Sequence, residues 1–268
     1  MTIALGVLAN DGVVLAADTE VTWGYLKTSG DKIWTAEAHG AMAIGGAGSG
    51  AYLEAISEEL LDAFRDSPKS ISIKALEQKF RGILTAFHKN HVIPFAQFPN
   101  PETAFWLIIA LQRGNENYLW VTEKTSLRPR SRYATVGMGC EYADALLSQI
   151  FSTGNAPKNI NAGLAERIAA YVVFETKDHV QSCGKKTSLV VLRRGRVVGA
   201  AASKLRLLDY HLNACADIRT LATQYALGFP YLEDGNAETT LMNYFRDLRK
   251  VLLASETNTF EGKDRCLE

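Results

Sequence analysis

A threonine at position 2, an aspartate at 18, a lysine at 32 and a glycine pair at 45 and 46 stand in an order that could support nucleophilic chemistry. Removal of Met1, which a small second residue permits, would leave Thr2 with a free α-amine beside its own hydroxyl. An α-amine has a pKa of about 7.7 to 8.0, so nucleophile and general base would then share one residue. Asp18 closes the apolar run that returns beside Thr2, and Lys32 opens the next one. A lysine held between that carboxylate and the threonine hydroxyl would stay charged and favour the attacking alkoxide. The backbone N–H groups of Gly45-Gly46, at the end of a strand and the mouth of a helix, suit a developing oxyanion.

Those residues need hairpins to bring them together. Thr2 to Leu8 reads as a strand that turns at Asn10-Asp11-Gly12 and returns as Val13 to Asp18. Lys32 to Glu37, a turn at His39-Gly40 and Ala41 to Ala47 repeat the pattern. Leu53, Ile56, Leu60 and Phe64 mark a helix over 50–65, and Leu76, Phe80, Ile83 and Phe87 a second over 72–88. Strands return at Ala104 to Gln112, Tyr118 to Thr122 and Tyr133 to Gly137. Helices follow over 142–151 and 162–174. A last hairpin, Thr187 to Leu192 and Arg196 to Ala201, turns at Arg194-Gly195. Helical stretches near 205–226 and 238–253 complete the chain. Antiparallel hairpins interrupted by helix pairs predict an α+β fold, a four-layer αββα sandwich of two antiparallel sheets flanked by helices. Pro94 to Pro101 reads as a long exposed loop.

Composition narrows the functional classes. The 268 residues suffice for one large domain with an appendage. We expect a core domain over 1–203 and a C-terminal helical extension over 204–268, packed on that domain or on a neighbouring subunit. In the extension, Leu241, Phe245, Leu248 and Val251 mark an amphipathic helix. The formal net charge is zero, which argues against nucleic acid or an anionic membrane as the main partner. Cys140, Cys183, Cys215 and Cys266 show neither metal-ligand nor disulfide spacing, which fits a reducing, cytoplasmic compartment. The five histidines show no metal spacing either, and no metal or cofactor is expected. No apolar run reaches about 18 residues, and the N-terminal residues show no basic region followed by an apolar stretch, so we expect no targeting segment.

Taken in order, Thr2, Asp11-Gly12-Val13-Val14-Leu15-Ala16-Ala17-Asp18, Thr22-x-Gly24, Lys32-Ile33 and Ala43-Ile44-Gly45-Gly46-Ala47 resemble the opening of a proteasome β-type subunit. The likeness continues more loosely at Val136-Gly137-Met138-Gly139 and from Asp178 to Gly184. Such subunits are N-terminal nucleophile hydrolases assembled in rings. The resemblance implies Thr2 as nucleophile and base, Asp18 and Lys32 as its activating pair, and Gly45 as oxyanion donor. It places Asp178 and Ser182 in the network near the threonine amine, and Val21, Thr22, Gly30, Trp34, Ala43 and Ala47 in the substrate pocket. It further implies a homo-oligomeric ring or related assembly, a peptide or unfolded-protein substrate and an ATP-dependent unfoldase partner. The expectation is therefore a self-compartmentalising threonine peptidase.

The chain departs from that pattern at informative places. Glu20 stands where an arginine is common, and Met138 replaces the serine of Gly-Ser-Gly, removing a hydroxyl that would hold the threonine amine. The stretch from Asp178 to Ser182 is one residue longer than usual. These departures support an alternative, a proteasome-like structural subunit without activity. A further alternative is an N-terminal nucleophile amidase acting on a small amide, although such enzymes often begin with Cys or Ser. Gly46-x-Gly48-x-x-Ala51 imitates a dinucleotide fingerprint, but tight hairpins before it exclude the parallel βαβ unit that such a site needs.

Overall fold

The computed structural model describes residues 2–23, 26–95, 103–152, 159–227 and 237–257. It divides into two units, residues 1–200 and 201–268. In the first, β1 (Ile3–Ala9) pairs with β2 (Gly12–Asp18), and a short hairpin of β3 (Glu20–Trp23) and β4 (Leu26–Ser29) follows. Then come β5 (Ile33–Glu37), β6 (Ala41–Gly48), α1 (Gly50–Arg65) and α2 (Ile73–Phe87). Four further strands are β7 (Phe105–Arg113), β8 (Glu116–Glu123), β9 (Ser126–Pro129) and β10 (Tyr133–Gly137). Helices α3 (Cys140–Ser152) and α4 (Ala162–His179) precede the last hairpin, β11 (Thr187–Arg193) and β12 (Arg196–Gly199).

Two five-stranded antiparallel sheets result, ordered β10-β1-β2-β11-β12 and β5-β6-β7-β8-β9. Small side chains fill the layer between them: Ala4, Ala17, Ala41, Ala43, Ala47 and Ala110 pack among Leu15, Ile108 and Leu119. A Cβ at Gly6 would come within 2.7 Å of Leu119 and 2.9 Å of Leu15, so bare backbone there lets the larger chains interdigitate. On one outer face, Ile56, Leu60 and Phe64 of α1 and Leu76, Phe80 and Leu84 of α2 join the β6 and β7 side chains in a single core. Helices α3 and α4 cover the other sheet across β1, β2, β10 and β11. A strand between a helical layer and a second sheet buries both faces. This is why β2 and most of β7 are apolar without alternation. The expected αββα architecture is the observed one.

The differences lie where packing does not write itself into the sequence. The β3–β4 hairpin and β9 were not expected; β4 is exposed along its whole length and β9 buries only Leu127. Helix α4 runs on to His179, beyond its expected end at Phe174; the added turn carries Glu175, Thr176 and Lys177, so no apolar stripe marks it in the sequence. Most of the expected loop from Pro94 to Pro101 lies outside the described residues. At the final hairpin, Arg194 and Gly195 both take positive φ, 52° and 74°, as a type I′ turn requires.

In the second unit, α5 (Ala202–Ala226) and α6 (Ala237–Thr257) contact each other. Helix α5 buries Leu205, Leu208 and Leu212 along one stripe. On α6, Phe245 is half exposed rather than packed, and the side chains of Leu241 and Val251 lie outside the described residues. Among the described residues no helix is long and apolar enough to cross a membrane.

Candidate functional site

The register of β1 against β2 sets Ala4 opposite Ala17, which carries Asp18 to the start of β1. There Asp18 Oδ1 accepts the Ile3 N–H at 3.1 Å and Oδ2 accepts the Gly184 N–H at 3.0 Å. Lys32, one residue before β5, sends its ammonium to the same point. It donates to Asp18 Oδ1 at 2.8 Å, to Thr2 Oγ1 at 2.6 Å and to the Glu20 carbonyl at 2.5 Å. Asp18 is fully buried, and Thr2 and Lys32 are 5% exposed. Burial pushes the Lys32 ammonium below the ordinary lysine value, while the charge and hydrogen bond of Asp18 pull it back. A cation donating to Oγ1 would lower the cost of an alkoxide on Thr2.

The turn after β10 presses against Thr2 from the other side. Gly137 has φ +103°, and a Cβ there would sit 2.2 Å from the Thr2 carbonyl oxygen, so only glycine fits. The Gly139 N–H donates to that carbonyl at 3.3 Å. Between them Met138 is 65% exposed, with no hydroxyl to offer.

The remaining expected residues scatter. Gly45 lies inside β6 opposite Ile33, and the neighbouring Gly46 N–H is spent on the Lys32 carbonyl at 3.2 Å. Asp178 is exposed on the last turn of α4, and it is Gly184, not Ser182, that reaches Asp18. Ala43 is buried between the sheets, while Trp34 packs on the core beneath α1 and α2. Gly30 donates to the Thr19 carbonyl, and a Cβ there would touch Val21 of β3 at 3.0 Å. Thr22 pairs with Lys27 in the β3–β4 hairpin. Of the expected pocket residues, Ala47 lines the cavity beside Thr2. That cavity, about 780 Å³, is also lined by Gly48, Trp106, Arg130, Gly137 and Met138.

Two buried neighbours of the trio were missed. The Cys183 Sγ would lie 3.0 Å from a Cβ at Gly139, and burial, with the Asp18 charge adding and Lys32 opposing, pushes its thiol up to about 11. Glu20 is buried and pairs with Lys27 at 2.8 Å; Lys27 also donates to the Gln181 carbonyl, tying the β3–β4 hairpin to the turn after α4. The only sequence signal for Cys183 was its place next to Ser182. Among the described residues, no group of three or more His, Cys, Asp or Glu could hold a metal ion.

No family model matches the sequence, and no curated protein matches it. The fold, however, has solved relatives. An Anbu mutant from Hyphomicrobium sp. strain MC1 superposes with a TM-score of 0.66 at 16% identity, over 84% of this chain and 97% of that one. Anbu from Yersinia bercovieri, described as an ancestral beta-subunit, gives 0.65 at 11% identity, over 87% and 100%. Anbu from Pseudomonas aeruginosa, solved as a helical assembly, gives 0.59 at 13% identity, over 80% and 94%. At these identities the likeness establishes the fold shared by Anbu and proteasome β-type chains. It also corrects the expectation drawn from Thr2, Asp18 and Lys32. The three chains above carry the name Anbu, and one of them was solved in a helical assembly rather than a ring. The peptidase reading is withdrawn. Its physical weak point is position 138, where a solvent-facing methionine replaces the hydroxyl that would orient the threonine amine.

Proposed function

We propose that this chain is a non-catalytic, proteasome-like structural subunit that assembles with copies of itself into an open, helical homo-oligomer. The observation that carries the proposal is the fold match to the helical Anbu assembly, which covers 94% of that subunit. Met138 beside Thr2 adds to it. In this role the buried trio is a clamp: Lys32 ties Thr2, the residue just before β1, to the end of β2 and to the Glu20 carbonyl. An unfoldase and a peptide substrate would have no task, and neither is proposed. A reducing cytoplasm is the compartment we assign, supported by Cys140 and Cys183 both being free thiols.

The test is light scattering and electron microscopy of the purified chain, with intact mass before and after a threonine-directed peptide epoxyketone. Concentration-dependent helical polymers and no adduct are expected. A chain that stays monomeric at high concentration overturns the assembly. An adduct that disappears in Thr2→Ala overturns the non-catalytic part.

A further inference from the structure

At one end of the sandwich the chain passes directly from β9, the last strand of one sheet, to β10, the last strand of the other. Both therefore leave one edge unpaired among the described residues. The connecting sequence is Arg128-Pro129-Arg130-Ser131-Arg132. Arg128 and Arg130 line the cavity beside Thr2, and Arg130 and Arg132 line a second cavity of about 390 Å³; Arg130 and Thr135 are common to both, so the two adjoin. The larger cavity has an apolar wall in Trp106 and Met138, 45% and 65% exposed. The smaller one is hydroxyl-rich, with Ser131, Thr135 and Ser152.

The charges along this groove are unevenly satisfied. Arg128 is paired with Glu123 at 2.5 Å, and Arg132 donates to the Phe151 carbonyl at 3.0 Å. Asp144 is engaged by the Thr135 hydroxyl at 2.6 Å. Arg130 makes no side-chain hydrogen bond or ion pair among the described residues, although it stands where the cavities meet. An apolar shelf ending at an unengaged guanidinium, flanked by two sheet edges, fits an extended peptide in which bulky apolar residues precede acidic ones.

The chain carries such a stretch. Only two pairs of adjacent acidic residues occur in the sequence. Glu58-Glu59 lies within α1; Glu233-Asp234 lies between α5 and α6 and is preceded by Phe229-Pro230-Tyr231-Leu232. We propose that the groove along β9 and β10 binds residues 229–235 of another copy of the chain, with Tyr231 and Leu232 against Trp106 and Met138, and Glu233 and Asp234 on Arg130 and Arg132. This rests on the self-assembly reading above and names the contact that would build it. Groove and segment are different surfaces, so the contact is heterologous. Such a contact does not close on itself unless its rotation happens to complete a ring, and otherwise propagates as a helix.

The test uses the full chain and a fluorescein-labelled peptide of residues 229–235, followed by anisotropy. Saturable binding is expected, weakened roughly 10- to 100-fold by Arg130→Glu, in line with loss of a charged hydrogen bond. It should also weaken with added salt. A peptide with both acids changed to lysine should bind Arg130→Glu better than it binds the native chain. In the full chain, Arg130→Glu should abolish polymers, and Glu233→Arg with Asp234→Arg in the same chain should restore them. Peptide binding that ignores Arg130, or polymers of Arg130→Glu indistinguishable from native, overturns the inference while leaving self-assembly standing. The arginines would then only shield an exposed sheet edge. A native chain that captures the peptide through Arg130 yet never polymerises supports the groove and overturns the assembly.

Discussion

If the trio is a clamp, its value can be measured by removing one member. Lys32→Met keeps most of the buried stem and deletes the ammonium. Asp18, fully buried, then loses its cation at 2.8 Å and keeps only the N–H groups of Ile3 and Gly184. Breaking a buried pair from one side costs about 3–5 kcal/mol. The two retained donors hold the cost to the low end, about 3 kcal/mol. For a unit of this size that lowers Tm by about 6–12 °C. Removing both charges is different, because the pair is only partly repaid for its burial, as the depressed Lys32 shows. Asp18→Asn with Lys32→Met should therefore lie within about 1 kcal/mol of native. The assay is urea unfolding at pH 7, followed by circular dichroism and tryptophan fluorescence. A single variant that loses less than about 1 kcal/mol, or a double variant as unstable as the single, would refute the clamp.

Four further outcomes follow from the geometry. Cys183 has its thiol pKa raised from 9.0 to about 11, so its protonated form stabilises the fold fully below pH 9 and that contribution is lost as pH rises through about 11. The loss at pH 10 is about 1.4 kcal/mol, and Cys183→Ala should lack it in urea titrations at pH 8 and 10. Lys32 has the opposite sign, its burial cost being relieved as pH rises toward 10.5, which is why native and Cys183→Ala must be compared at each pH. Gly137→Ala should destabilise by about 3 kcal/mol or more, from positive φ and the collision with the Thr2 carbonyl, read as a fall in Tm. Gly82→Ala should do the reverse: it lies inside α2, a Cβ there meets nothing within 4 Å, and the gain is about 1 kcal/mol. Ser72→Ala should cost about 1 kcal/mol of stability by removing the hydroxyl that accepts the Ala75 N–H at the start of α2.

What the sequence made legible followed from burial. The run Gly12 to Asp18 could only be a strand covered on both faces, and Asn10-Asp11-Gly12 fixed the register that sets Asp18 beside Thr2. The meeting of Thr2, Asp18 and Lys32 was legible for that reason, since hairpins and short spacings position all three. Contacts that close over long separations were not. Gly184 reaches Asp18, and Cys183 comes up against Gly139, only after a helix and a turn whose length no local pattern records. Trp34 was assigned to a pocket, yet an exposed and a buried face of β5 differ by a single register step, and packing under α1 and α2 decided it. The activity was the least legible part. A trio sufficient for an alkoxide was read as a working enzyme, whereas the side chain at position 138 lies outside what the trio can report.

The pairing of β2 with β11 joins Asp18 to Thr187. During synthesis, then, the hairpin that holds Thr2 is among the first structures made, but one of its edges stays open until almost the entire first unit has left the ribosome. Until that moment β2 offers bare backbone donors and acceptors to any extended chain nearby. Order of manufacture thus sets a vulnerability that the finished sandwich no longer displays. A nascent chain stalled before residue 187 should recruit chaperones, and one stalled beyond residue 199, with β11 and β12 in place, should release them.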